Sequence, residues 1–379
     1  MDIKDLAQLL AYLHSNGEFY RMMIDPLAQF GTEDDPYLGA LLLPEVLKES
    51  NQYTETKIRY RTTIANSGSH YSPAQLNPSG NLVGSFDVKF GKNDQADQIT
   101  AQDYDELMKL LNRMASREAI MTALRWMDRH ILRPVLDLNE KQRWDAICNA
   151  LVIRTGSNGY EEEVLYSNPA GHRPAAIPGG TVANPAGWHE TDGSYDCFTD
   201  IFKVKRFMAK KGYKIVQTIT STELVEVMSA NPASAKRANR ITVNDSGQIQ
   251  AIADSLDKTY LDGIMRRNSL PDFTVYDKVY RDRSGFKPFL PSNKMVFVGK
   301  IDEQTTIDRG DEEPVVLDNT LGYYGVGVPA GKVQPGRIVN TKEEDLYPGG
   351  FYAECIEVGL PVITEPEAIF VLTIDEPIE

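Results

Sequence analysis

Apolar residues recur along this chain with two different periods, and each change of period marks a new part. Near the start, Leu6, Leu9, Leu10 and Leu13 follow the spacing of one helix face. Asp2, Lys4 and Asp5 interrupt the apolar positions there, so the segment predicts a short amphipathic helix and not a secretory signal. The neighbouring sequence offers this leucine stripe little to pack against. A Gly-, Asp- and Pro-rich stretch, Phe30 to Tyr37, predicts a loose connection after it.

Over residues 54–91 the period drops to that of a strand. Ile58, Tyr60, Thr62 and Ile64 alternate with Lys57, Arg59, Arg61 and Thr63, and Phe86, Val88 and Phe90 alternate with Ser85, Asp87 and Lys89. Between them lies a turn-rich connection, Ser67 to Gly80, with Pro73 and Pro78. The expectation is a long hairpin with one charged face. A lone two-stranded hairpin is marginally stable. Its apolar face needs cover, and another copy of the chain is the natural supplier.

Helical spacing returns at Thr100, which with Asp103 forms a capping-box pattern. Leu107, Leu110, Leu111, Met114, Met121, Leu124 and Met127 continue one apolar stripe, which predicts a long spine helix ended by Pro134. A second helix, capped by Asn139, is expected to reach about residue 151. Leu151–Arg154 and Glu161–Tyr166 flank Asn158-Gly159, a strong hairpin signal. Residues 167–196 are a Pro/Gly-rich loop. Asp200–Lys211 predicts a basic helix stopped by Gly212, and Lys214–Gln217 a strand. Thr220 with Glu223 predicts the cap of a helix reaching Met228. Beyond residue 241 short strands and turns dominate. The ending predicts strands over Phe351–Val358 and Ile369–Ile374, broken by Pro361 and Pro366. The fold class is α+β.

Composition narrows the function. Hydrophobic residues make up 41% of the 379 and charged residues 25%, enough for a packed core. No apolar run approaches the roughly 20 residues that span a bilayer. Cys148, Cys197 and Cys355 are far apart and odd in number, which predicts reduced, buried thiols and neither a disulfide framework nor a zinc site. The net charge of −14 argues against a nucleic-acid reader, while suiting a container that repels its contents weakly.

In its order of parts the chain resembles the Hong Kong 97-type capsid fold, and within it the lambda-like major head proteins, the capsid protein E family. The residues that carry this are Gly212-Tyr213-Lys214-Ile215-Val216 before the Thr220–Asn231 helix, and Tyr276 to Gly285 leading into Leu290 to Val298. The ending, Gly359-Leu360-Pro361-Val362-Ile363-Thr364-Glu365-Pro366 followed by Glu367 to Ile374, carries most of it. The resemblance covers about residues 40–375. It implies an N-terminal arm over residues 1–50 and an extended loop over 51–98. It also implies a peripheral domain with the spine helix over 99–195, an axial domain over 196–344, and C-terminal strands, 345–379, returning to the peripheral domain.

The function implied is that of a major capsid protein: pentamers and hexamers of an icosahedral shell, built in the host cytoplasm around phage double-stranded DNA. The implied partners are other copies of the chain, a portal, a decoration protein and, with no long charged helical leader in the sequence, a separate scaffolding protein. No membrane, cofactor, metal or catalytic residue is expected. Loop contacts between subunits would fall on Lys57, Arg59, Tyr60, Arg61, Phe86, Lys89 and Phe90. Two rivals remain: an encapsulin-like compartment, and a cytoplasmic hydrolase or sugar-binding enzyme using the aromatic loop Gly187–Tyr195.

Few residues suggest chemistry. Trp188-His189-Glu190-Thr191-Asp192 groups a histidine with carboxylates, but no strand or helix signal fixes it, and a polar loop explains it. The acidic run Asp302, Glu303, Asp308, Asp311, Glu312 and Glu313 lacks the order of a calcium loop. Lys203, Lys205, Arg206, Lys210, Lys211 and Lys214 form the one basic cluster, a candidate contact for DNA or for an acidic neighbouring subunit. No glycine-rich phosphate loop and no GxSxG turn is present.

Overall fold

The structure, a computed structural model of the chain, describes residues 31–32, 35–59, 82–100, 128–156, 161–169, 171–173, 185–189, 195–237, 241–243, 249–252, 256–282, 284–300, 306–308, 315–316, 321–344 and 350–374. The expected N-terminal helix, the tip of the 54–91 hairpin and the apolar stripe from Leu107 to Met127 lie outside these residues. The chain divides into two compact units, one from 1–55, 86–143 and 322–362, the other from 56–85, 144–321 and 363–379.

Along the chain the described elements begin with a short helix, α1 (Leu38–Leu42), and strands β1 (Glu45–Leu47) and β2 (Gln52–Arg59). After the return strand β3 (Leu82–Lys89) comes β4 (Gly91–Thr100), then a π-helical turn, Asp128–Leu132, running directly into α2 (Arg133–Asn149). Pro134 does not end a helix here. It sits at the junction of the π-helical turn and α2, the second residue of α2. Asn139 likewise caps nothing: it lies inside α2, fully buried, and its side chain serves the core instead.

Strand β4 is the element the alternation does not announce. Its sequence, Gly-Lys-Asn-Asp-Gln-Ala-Asp-Gln-Ile-Thr, carries residues depleted from strands. It nevertheless pairs along its whole length with a late strand, from Gly91 opposite Gly359 to Thr100 opposite Gly350. Asn93 is buried while Lys92 and Asp94 are exposed, so the strand alternates in burial using amides where apolar residues are usual.

The second unit starts with the hairpin β5 (Leu151–Thr155) and β6 (Glu161–Leu165), paired as expected from Leu151↔Leu165 to Thr155↔Glu161. No glycine ends α2 before it. Ala150 takes the left-handed conformation, φ 53°, and turns the chain. Next come α3 (Cys197–Lys210), β7 (Lys214–Thr220), α4 (Thr222–Ala230), α5 (Pro232–Arg237) and α6 (Lys258–Arg267). Gly212, φ +86°, stops α3 where the sequence places a stop. The α4 cap is Ser221 and not Thr220: its Oγ accepts from the Leu224 amide at 3.2 Å. Helix α6 interrupts what the sequence reads as strands and turns.

Strands β8 (Phe273–Val275), β9 (Val279–Asp282), β10 (Gly285–Pro288) and β11 (Lys294–Lys300) follow, then the short β12 (Thr306–Asp308) and β13 (Val315–Val316). The chain closes with β14 (Gly322–Val326), β15 (Ile338–Glu344), β16 (Gly350–Ile363) and β17 (Ile369–Thr373). Strand β16 runs straight through Pro361, which does not break it.

Each unit has its own sheet. In the first the order is β15-β16-β14-β1, with β4 also paired to β16. In the second it is β8-β7-β11-β17. Among the C-terminal strands, β16 pairs with β4 and β15, whereas β17 pairs with β11, Lys294 opposite Thr373 to Val298 opposite Ile369. Strands β14 and β15 lie in the first unit. Inside the second unit Phe297, Phe370 and Phe207 stack edge to face, with centroids 6.3 and 5.6 Å apart. Burying each ring contributes about 1.5–3 kcal/mol.

Candidate interaction surfaces

The ribbon of β2 and β3 is the first candidate surface, and it is not an isolated hairpin. Strand β12 pairs with the edge of β2, Thr306 opposite Ile58 to Asp308 opposite Thr56, and β13 pairs with β12. The four-stranded order is β13-β12-β2-β3. The chain thus supplies two strands to the edge of its own ribbon, which widens the sheet and leaves the cover of its faces as a separate question. Asp308, one of the acidic run, lies on β12, while Asp302, Glu303, Asp311, Glu312 and Glu313 fall outside the described residues.

At its base the ribbon is fastened by aromatic rings and one buried carboxylate. The Tyr53 hydroxyl lies 2.7 Å from that of Tyr323, which donates to Glu55 Oε2 at 2.6 Å. Burial and the Glu55 carboxylate push the Tyr323 hydroxyl far above its usual range. Lys48 Nζ stands 4.8 Å and 5.3 Å from the Tyr53 and Tyr323 ring centres, a cation facing both rings. Phe90 meets Tyr53 edge-on, with centroids 5.6 Å apart.

Phe90 is 6% exposed, a core residue of its own unit. Phe86 is half-buried and Lys89 exposed. Lys57 and Arg59 lie on β2, and Tyr60 and Arg61 fall outside the described residues.

Beneath the first unit's sheet lies a polar network that no local pattern in the sequence flags. Arg143 donates through Nε to the Leu43 carbonyl at 3.0 Å and reaches Glu45 at 3.4 Å and Glu140 at 3.5 Å. Its guanidinium also covers the Tyr324 ring at 4.7 Å. Arg337 pairs with both Glu45 and Glu357. Asn139 Nδ2 donates to Glu357 at 2.9 Å, and Asn93 Nδ2 donates to the Tyr324 hydroxyl at 2.8 Å. Gln142 donates to Asn93 at 3.0 Å. Burial raises the Glu357 carboxyl, and the Arg337 charge opposes that rise. Strand β4 therefore belongs in this sheet because Asn93 joins the network, not because of apolar periodicity.

The basic helix α3 is the second candidate surface, and its cations are divided. Asp196 caps it by accepting from the Phe198 amide at 3.1 Å. Phe198, Ile201, Val204 and Met208 are buried. Lys203 reaches Asp200 at 3.3 Å, and Asp200 also accepts from Trp188 Nε1 at 3.1 Å and from Tyr195. Lys205 donates to the Asn268 carbonyl. Lys211 donates to His172 Nε2 at 2.6 Å, while His172 Nδ1 donates to the Ile369 carbonyl at 2.9 Å. Lys203, Lys205 and Lys211 are thus spent inside the second unit. Arg206, Lys210 and Lys214 are exposed, and no ion-pair partner for them is found among the described residues.

Of the segment Trp188–Asp192, only Trp188 and His189 are described. Trp188 is buried against Asp200, His189 is half-buried, and Glu190 and Asp192 fall outside the described residues. Among the described residues no three His, Cys, Asp or Glu side chains converge as metal ligands. All three cysteines are free and buried, as expected, and burial pushes each thiol up to about 12. No helix among the described residues is long and apolar enough to cross a membrane.

Sequence reasoning missed another kind of surface. The exposed faces of hairpins β5–β6 and β9–β10 carry Ile153, Leu165, Val279 and Phe286. Alternation within each hairpin was the available signal.

No protein-family profile matches the chain, and no curated protein sequence matches it either. Solved structures do. A protein assigned as the capsid protein of a prophage in E. coli CFT073 superposes with a TM-score of 0.55 at 14% identity, covering 97% of this chain and 98% of that one. A phage-related protein of Bordetella bronchiseptica RB50 gives a TM-score of 0.50 at 11% identity, covering 89% and 91%. Identity this low speaks for the fold alone, and over nearly its whole length the chain has the α+β fold of the Hong Kong 97-type capsid proteins.

Proposed function

We propose that this chain is the major capsid subunit of a tailed double-stranded DNA phage, assembling with copies of itself into the pentamers and hexamers of an icosahedral head. One observation carries the reading: the fold matches that of a prophage capsid protein from end to end, with almost nothing left over in either chain. The ribbon agrees with it. A four-stranded sheet anchored at one end by Tyr53, Glu55 and Tyr323 suits a part that reaches across a neighbour.

On this reading the role is structural, without catalytic residues or cofactor. Shell geometry asks one polypeptide to make similar contacts around five-fold and six-fold axes, which rigid units joined by adaptable segments satisfy. Many weak contacts, closed into a shell, hold far more tightly than any one of them. Lys57, Arg59 and Lys89 would set register against an acidic neighbour more than add affinity. Scaffolding, portal and decoration proteins are the further partners, and packaged DNA meets the acidic chain only by weak, non-specific contact. Assembly takes place in the host cytoplasm, and the finished location is the virion.

The test is to purify the full chain, concentrate it with and without a crowding agent, and examine it by size-exclusion chromatography and negative-stain microscopy. Closed shells or ring-shaped capsomers are expected. A small monodisperse species under every condition overturns the reading in favour of an enzyme or binding protein.

A further inference from the structure

Two hairpins of the second unit each leave one face uncovered, and the two faces complement each other. Among the described residues β5 pairs only with β6, and β9 only with β10. On β5–β6, Val152 and Arg154 turn inward and are buried, while Ile153 and Leu165 on the other face are 44% and 77% exposed. Glu161 and Glu163 share that outer face, since Glu163 lies opposite Ile153 and side chains alternate along a strand. On β9–β10, the Tyr280 ring packs 5.1 Å from Phe289, while Val279 and Phe286 on the opposite face are 48% and 72% exposed. Arg281, directly across from Phe286, lays its guanidinium over that ring at 5.8 Å.

The charges around these apolar pairs have opposite sign. On the outer face of β5–β6 stand Glu161 and Glu163, whereas Glu162 pairs with Arg154 at 3.6 Å on the inner face. On the outer face of β9–β10 stands Arg281, whereas Lys287 pairs with Asp282 at 2.6 Å on the other face. Each face therefore repels its own kind and attracts the other, and each offers an aliphatic or aromatic anchor to be buried.

We infer that the outer face of β9–β10 in one copy of the chain docks on the outer face of β5–β6 in the next copy. Such a contact is head-to-tail, and repeating it closes a ring or extends a lattice, whereas a two-fold contact would stop at a dimer. The occupant is a second copy because both complementary faces are present in one sequence. The inference rests on the shell reading and names the residues of one of its contacts.

The test uses the full chain with Leu165→Cys and Phe286→Cys together. The native thiols are buried, so the introduced pair alone is open to oxidant. Mild oxidation should give a ladder of covalent multimers from the double variant and monomer from either single one. Glu163→Lys and Arg281→Glu should each abolish assembly at unchanged melting temperature, and combining them should restore it.

The inference is overturned if the double variant stays monomeric, if a single variant dimerises through like faces, or if both charge variants assemble as the parent does. The thiol readout needs no closed shell. A ladder without shells would uphold the contact and sink the shell reading, and shells without a ladder would do the reverse.

Discussion

The ring of Phe90 rests on Gly325, so close that a β-carbon on residue 325 would overlap the ring edge at Cζ and Cε1. The same ring approaches Gly327, where an added β-carbon would lie 2.7 Å from Phe90 Cδ2. Gly325 on β14 and Gly327 just past its end thus leave room for an aromatic from the ribbon base. Gly325→Ala should destabilise the protein by about 1–3 kcal/mol through overpacking. Chemical denaturation checks this, with Phe90→Leu combined with Gly325→Ala expected to recover part of the loss.

Arg337 sits between two carboxylates with almost no solvent of its own. Arg337→Met leaves Glu45 and Glu357 to share what Arg143 offers, and should cost about 3–5 kcal/mol, the usual penalty for stranding one side of a buried pair. Adding Glu357→Gln removes the stranded charge while keeping an acceptor for Asn139. The double variant should be more stable than the single one, which a thermal melt of both will show.

His172 predicts an acid limit on stability. Burial is the main cause of its lowered pKa, with the Lys211 charge also lowering it and the Ile369 carbonyl opposing. Arg173 adds to the lowering and Glu367 opposes it. A histidine whose folded pKa is depressed contributes stability that is fully present above its ordinary value of 6.5 and lost as pH falls toward the lower folded value. The melting temperature should therefore fall between neutral pH and about pH 5. His172→Gln, which retains a donor for the Ile369 carbonyl, should flatten that slope. An unchanged slope would remove His172 as its cause.

The two kinds of cation on α3 should separate by experiment. Lys205→Ala leaves the Asn268 carbonyl without its donor and should lower stability by about 1 kcal/mol. Arg206→Ala and Lys210→Ala should leave stability within about 0.5 kcal/mol of the parent. They should still weaken binding to DNA or to an acidic neighbour, with a shallower dependence on salt. Melting curves together with salt titrations distinguish the two outcomes.

Much of the second unit was legible because its signals are local. Asn158-Gly159 announces a hairpin, Gly212 stops a helix, and the spacing of Ile201, Val204 and Met208 turns one face of α3 inward. Helix α6 escaped because only Leu261, Ile264 and Met265 mark its buried face, within a stretch otherwise polar. In the first unit the decisive partners are hundreds of residues apart. Asn93, Asn139, Tyr324 and Glu357 meet in one network, and buried polar residues that satisfy one another leave no periodic trace. The same distance hid the role of Thr306–Asp308 at the edge of the ribbon, since a short polar strand is recognisable only beside the strand it joins.

The ten-residue ladder between β4 and β16 has a consequence for biosynthesis. Its two halves leave the ribosome about 250 residues apart, so the first unit cannot close until nearly the entire polypeptide has been made. Such long-range pairing is slow and keeps strand edges open in the interval. A translation product cut short before Gly350 lacks the strand that holds β4 and β15 together, and cannot complete this unit. Quality control is thereby written into the topology: only a full-length copy can finish folding.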